Sequence, residues 1–487
     1  MKQKNADGGR KPDLSRHINL RARPVARILA AVAVAVVVAV GGAVFASPAR
    51  SQSILRDTET EFFFRDLALP VYEAAGVDTE RLRLFVDAEP SINAFVTASH
   101  IIVLSAGLVQ RAADPSDLLG VIAHETGHIA AGHHLATAEA ALYAERQFLL
   151  SAALGVVLAG AIGNPTALGA AGAAGTEISQ KGLLAHSRAH EQAADQAAVN
   201  YLAAAERSPV GILRVMRYLE EQENLSIEVN PYLRTHPISS ERVSFLEGAL
   251  ERSAYADVAP SAEEMETLRR IKAKLAAYLD PDDFHRRYPA ADVSVAARYG
   301  RAVANWREGK LRECVALLRE LIAEEPDNPY FHEFLGQVLF TAGRAEESAA
   351  SYREAVRLLP DAPLLRLGWA AALLEQRSPR ADKVALRQLS LVNDARESPG
   401  VALRLTNIAE TRQGSTGRAT LALAELRLIE GRLGEAAVLA QRALRELSEQ
   451  EQASRLRAMD LLAVIGDQTD ENDDEDDDEN DESPPLR

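Results

Sequence analysis

The chain has 487 residues, with 47% apolar and 25% charged content, which leaves room for two or three globular domains with sizeable cores. Its formal net charge is −16, but twelve acidic residues and no basic one lie between Asp467 and Glu482. Setting those aside leaves about −4, so nothing here has the electrostatic footprint of a nucleic-acid protein. A lone cysteine, Cys314, excludes an intrachain disulfide.

From the N-terminus, eight Lys and Arg residues between Lys2 and Arg27 precede the apolar run Ile28–Ala46. A basic stretch, an apolar run and small residues before the junction describe a secretory signal, with cleavage after Ala46 or Ala49. The run is also long enough for an uncleaved inner-membrane anchor, so residues 1–50 are expected to be a signal peptide or, less favoured, an N-terminal anchor. Export with a single cysteine suits a periplasmic protein of a Gram-negative envelope. Residues 51–255 mix helical text with short β-like runs, LRLFV (82–86) and HIIVLSAG (100–107), which predicts helices around a small sheet.

The chemistry concentrates in VIAHETGHIAAGHHL (121–135). His124 and His128 are four apart, so on a helix their imidazoles share a face and can bind one Zn²⁺. Glu125, about 100° further round, can reach the metal's open position as a general base rather than a ligand. A third protein ligand is needed. His134 stands where a metzincin would place it, but the helix-breaking glycine is displaced: Ala131 occupies its position and Gly132 comes one residue late. On a continuing helix His134 points elsewhere, so His133 and His134 are read as surface or second-layer residues. The apolar piece Phe148–Ile162 is too short to span a bilayer comfortably and is read as a buried helix, with a membrane-touching flap as the lesser alternative.

The better third ligand lies in HSRAHEQAADQAAVNYL (186–202). Glu191 and Asp195 share a helical face flanked by alanines that permit close packing, so Glu191 is the candidate ligand. Asp195 is placed to accept a hydrogen bond from a liganding imidazole. His186 and His190 are read as an exposed helix face.

Residues 256–292 are charged and helical and are expected to be a linker. After them, Gly309 and Gly343 lie 34 residues apart, as do Pro326 and Pro360. Leu335, Gly336, Tyr352 and Ala355 fall where a tetratricopeptide helix pair needs small and aromatic residues, and Cys314 takes a small-residue position. EGRLGEAAVLAQRAL (430–444) repeats the theme, so 293–465 is expected to be a repeat solenoid. Residues 466–487 are expected to be a disordered acidic tail.

HETGH (124–128), SRAHEQAAD (187–195) and LRTHPISSER (233–242) together resemble the successive signatures of the zinc metalloprotease family that includes the CAAX prenyl endopeptidase and the HtpX-type heat-shock protease. The implied fold is α+β: a mostly helical gluzincin-like domain with a small sheet, followed by the all-α solenoid. The resemblance implies one Zn²⁺ held by His124, His128 and Glu191, with Glu125 as general base and Asp195 behind the ligands. It adds His236 as a catalytic loop residue that gates the metal as a fourth ligand or stabilises the oxyanion. It implies substrate binding for Asn93, in an INAF segment leading to a strand edge, and for Arg242, whose alternative is a structural salt bridge. The family's paired glycines after that segment are replaced by Ala98-Ser99-His100.

The expected activity is a zinc-dependent endopeptidase cleaving misfolded or stalled envelope proteins such as outer-membrane β-barrel precursors. The alternative is a repeat-based chaperone or assembly factor with an idle or structural metal domain. Expected partners are unfolded envelope polypeptides and, through the repeats, the β-barrel assembly machinery, with membrane contact through 148–162 or an uncleaved N-terminus.

Overall fold

A short edge strand opens the ordered text: β1 (Ile54–Leu55) pairs antiparallel with β2 (Arg83–Asp87). β2 runs parallel to β4 (Ile101–Ser105), and β3 (Ala94–Val96) pairs antiparallel with β4, giving the order β1-β2-β4-β3. The computed structural model describes residues 54–79, 83–97, 100–133, 188–225, 230–393 and 399–478. The signal segment, the 148–162 run, His134, His186 and the last nine residues lie outside them. The β3–β4 turn holds His100 at φ +61, in the left-handed region that favours glycine, where the family pattern carries its glycines.

α1 (Thr58–Ala75) is capped by Asp57, whose carboxylate accepts the Thr60 N–H at 2.9 Å. It lays Phe64, Leu67, Val71 and Tyr72 into the core. α2 (Ala106–Arg111) leads into α3 (Pro115–Ala130), which carries both histidines of the HExxH motif. Asp114 caps α3, Pro115 takes its first position, and every residue from Pro115 to Ile129 is buried. A helix hidden on all sides needs neighbours on all sides. α3 has α1, β3, a helix over 188–204 (α4) and α5 (Val210–Leu225) around it.

Two glycines make that enclosure possible. A Cβ on Gly120 would lie 2.4 Å from the Ile212 nitrogen of α5, and one on Gly127 would lie 3.1 Å from Ala194 Cα of α4. α6 (Pro231–Thr235) and α7 (Ser240–Arg252) complete the core around the sheet, adding Tyr232, Leu233, Val243 and Leu246.

The segment expected to be a linker is structural. Its helix α8 (Ala262–Leu279) sends Leu268, Ile271 and Leu275 into the core around the sheet. Ala273, Ala276 and Ala277 go into the first solenoid cluster. The charges that suggested a solvated spacer are buried partners: Lys274 Nζ lies 2.7 Å from both Asp57 and Glu59, and Arg270 lies 2.6 Å from Glu59. Thr58 Oγ1 donates to Glu333 of the solenoid at 2.5 Å.

After α9 (Pro281–Arg287) the repeats begin with α10 (Val295–Arg307) and α11 (Leu311–Glu324), then α12 (Pro329–Thr341) and α13 (Ala345–Leu358). Gly309 and Gly343 turn each pair at φ +77 and +72. The Tyr352 ring lies where a Cβ on Gly336 or Gly368 would sit, at 2.7 and 2.3 Å, so it fills the gap between α12 and α14 (Pro363–Glu375). Cys314 is fully buried and burial pushes its thiol up to about 12, which leaves it a packing residue. The last helix among the described residues runs Gln452–Asp478. It carries part of the acidic run that composition assigns to disorder, extending from a half that packs Leu461 and Ile465.

The α3–α5 contact admits no side chain at 120. Gly120→Ala is expected to lower stability by about 1–3 kcal/mol, read as a shift in the urea midpoint, because backbone must move to admit the methyl. An unchanged midpoint contradicts the packing described here.

At the solenoid junction, burial and then the Asp57 charge raise the Glu333 carboxyl to about 8. The folded protein therefore holds a proton there that the unfolded chain releases near its ordinary carboxylate range. The resulting stability is full below that range and is lost as pH rises through about 8. Glu333→Gln is expected to flatten the decline of Tm between about pH 5 and about pH 9. Parallel declines in variant and wild type would count against this assignment.

Candidate metal centre

Three separate elements converge on one point. α3 supplies His124 and His128, α4 supplies Glu191, and the residue after α6 is His236. One donor atom from each of the four lies within 4.8 Å of the others. His124 Nε2 and His128 Nε2 are 3.2 Å apart, and each lies 3.3 Å from a Glu191 oxygen. His236 Nδ1 lies 3.1 Å from Glu191 Oε1 and 3.4 Å from His124 Nε2. Tetrahedral zinc bonded at about 2.0–2.1 Å would space neighbouring ligand atoms by about 3.3–3.4 Å. His124, His128 and Glu191 thus stand near the edge lengths of a metal tetrahedron, with His236 at similar spacing from His124 and Glu191, and nitrogen–carboxylate donors suit a borderline divalent ion.

Behind the donors a second layer fixes their orientation. His124 Nδ1 lies 2.9 Å from Asp195 Oδ1, which assigns its hydrogen to that nitrogen and leaves Nε2 free to donate to a metal. Arg242 grips Asp195 through Nε at 2.7 Å and Nη2 at 2.9 Å. Its Nη1 reaches Glu191 Oε2 at 2.9 Å and the Pro237 carbonyl at 2.8 Å. The expectation of a substrate-binding Arg242 meets a different geometry: the side chain is 3% exposed and its donors are committed behind the ligands. Asn93 is half-buried at the start of the β3 edge, its N–H donating to Ser105 Oγ at 2.8 Å.

The electrostatics follow from that packing. Burial alone pulls the His124 imidazolium down, but the Asp195 and Glu191 carboxylates outweigh it and raise it to about 10. Burial also dominates at His128, and there the net direction is down. Burial disfavours the charged forms of Glu191 and Asp195, yet the surrounding imidazoles and Arg242 hold both carboxyls below their ordinary range. The two carboxylates are therefore balanced by the Arg242 guanidinium and the His124 imidazolium, whose Nε2 proton a bound metal would replace. Glu125, 1% exposed, stands beside the cluster with Oε1 3.6 Å from His236 Nε2.

Three neighbours surround the donors: Tyr232, which the sequence did not single out, His133, read there as a surface or second-layer residue, and His190, read as an exposed face. Tyr232 stacks on His236 with ring centroids 4.6 Å apart, a contact signalled only by its being four residues earlier on a short helix. His133 Nδ1 lies 3.0 Å from His128 Nδ1, and its ring stacks on His190 at 3.9 Å. His190, read as part of an exposed face, is half-buried by that stack.

Residues 58–250 match the model of peptidase family M48, and residues 299–363 match a tetratricopeptide-repeat model. The chain is 27% identical over 357 residues to the beta-barrel assembly-enhancing protease of Yersinia pestis, covering 71% of each chain. It is 25% identical over 396 residues to that of Escherichia coli strain K12, covering 79% of each. A putative beta-barrel assembly-enhancing protease of Vibrio cholerae is 25% identical over 287 residues, 58% of this chain and 59% of that one. A buried His-His-Glu-His donor set thus lies inside the segment that matches peptidase family M48, repeats follow it, and most of the chain is homologous to the beta-barrel assembly-enhancing proteases.

Proposed function

We propose that this protein is a zinc-dependent endopeptidase of the Gram-negative periplasm that cleaves misfolded or stalled envelope polypeptides, outer-membrane β-barrel precursors among them. The observation that carries the reading is the spacing of His124, His128 and Glu191 at tetrahedral edge lengths, with Glu125 beside them. Relatives of this architecture are named for enhancing β-barrel assembly, which supplies the substrate class. Among the described residues no helix is long and apolar enough to cross a membrane.

Zinc, when bound by His124, His128 and Glu191, supplies a Lewis acid that acidifies a water and polarises the scissile carbonyl. Glu125 takes the proton of the attacking water and returns it to the leaving amine, in a site closed enough to strengthen both transfers. Asp195 and Arg242 hold His124 and Glu191 in place through the cycle. β3 is an edge strand whose outer side is unpaired within the sheet, so an extended substrate adds to it by main-chain hydrogen bonds, with Asn93 at its start. His236 occupies the fourth corner, where it gates the site, and must leave for substrate to enter.

That closed corner also suits the second reading, a repeat-based chaperone whose metal domain rests idle. Glu125→Gln is expected to keep its zinc and lose at least about 100-fold of casein hydrolysis. His236→Ala is expected to cleave faster than wild type at equal metal content. Equal casein cleavage by wild type and Glu125→Gln refutes the enzymatic mechanism. A Glu125→Gln protein that retains full activity on envelope assembly favours the chaperone.

A further inference from the structure

Each imidazole of the HExxH pair needs something to hold its second nitrogen, and among the described residues only the first faces a carboxylate. His124 Nδ1 faces Asp195, whereas the group at His128 Nδ1 is another imidazole, His133, at 3.0 Å. On an uninterrupted helix a residue five positions on is rotated by about 140° and points away. α3 instead ends at Ala130, and Gly132 follows at φ +65, reversing the chain so that residue 133 returns over the last helical turn. The glycine that comes one residue late for a third zinc histidine is in register to deliver this one.

We infer that His133 is the positioning residue for the second imidazole ligand, accepting the His128 Nδ1 hydrogen and so leaving His128 Nε2 a bare donor aimed at the metal. The inference rests on the zinc reading proposed above. Two Nδ1 atoms at 3.0 Å share one hydrogen. If His133 donated it, the neutral His128 ring would carry its own hydrogen on Nε2, the atom 3.3 Å from Glu191 Oε1 and 3.2 Å from His124 Nε2. That tautomer cannot ligate, so the hydrogen belongs to His128 and the lone pair to His133. The His133 ring in turn stacks on His190 at 3.9 Å and 11° between planes. His190 precedes the ligand Glu191 on α4, so one stacked pair ties the end of α3 to the start of the helix bearing the third ligand.

The test is zinc affinity by chelator competition, with Tm of the metal-free protein alongside. His133→Phe keeps a ring to stack on His190 and removes the acceptor, while His133→Asn places an amide oxygen near the lost Nδ1. His133→Phe is expected to bind zinc roughly 10–100-fold more weakly with the metal-free Tm unchanged, and His133→Asn to recover to within about threefold of wild type. Phe and wild type binding alike would overturn the inference while leaving the zinc reading intact. Phe and Asn variants equally weak, or a metal-free Tm falling with affinity, would make His133 merely structural. A wild type that takes up no zinc would remove the functional reading and this inference together.

Discussion

The distance between α3 and α4 is the constraint on which the site depends. Gly127 lies between the two histidines of the motif, and a Cβ there would already press on Ala194 Cα and O at 3.1 Å. Ala194 and Ala198 are fully buried on the facing helix, so at these two positions beside Glu191 and Asp195 it carries only methyl groups. Larger residues at these points would separate the helices by more than a metal bond can bridge. The chemistry of the centre is thus set first by residues with no chemistry, whose smallness brings a carboxylate of one helix to two imidazoles of another.

Bringing Glu191 and Asp195 together inside the protein costs desolvation that only opposite charge can offset. Arg242 does this from behind, contacting both carboxylates and the Pro237 carbonyl next to His236. One guanidinium therefore braces Glu191, the Asp195 carboxylate behind His124, and the backbone beside His236. Its planar fork suits that task; a lysine at 242 would offer one charge and no bidentate geometry. Tyr232 adds an apolar brace on the other side by stacking on His236.

What the sequence disclosed depended on how locally each feature is encoded. The i, i+4 spacings of His124 with His128 and Glu191 with Asp195 need only a helix to be read. The 34-residue spacing of Gly309 and Gly343 needs only a repeated unit, and both glycines do turn helix pairs at positive φ. The mostly helical catalytic domain with a small sheet was legible for the same reason. His133 was not, because its position depends on a single left-handed residue, Gly132, that reverses the chain. Nor was the place of α8: an i, i+4 pair of cations, Arg270 and Lys274, reads as a solvated face until Asp57 and Glu59 arrive from two hundred residues away. Arg242 was legible as a salt-bridging residue, but not as one that reaches both carboxylates.

The place of α8 changes what the solenoid can do. Lys274 touches Asp57 and Glu59 at the first turn of α1, and α1 runs on to Tyr72, whose phenol is raised by burial and then by the nearby Glu125 charge. Buried ion pairs contribute little net stability over apolar packing, yet breaking one partner away is costly, about 3–5 kcal/mol. Here a swing of the array would have to part Lys274 from Asp57 and Glu59, and Thr58 from Glu333, at once. The first repeats are therefore fixed relative to the catalytic helix rather than tethered to it.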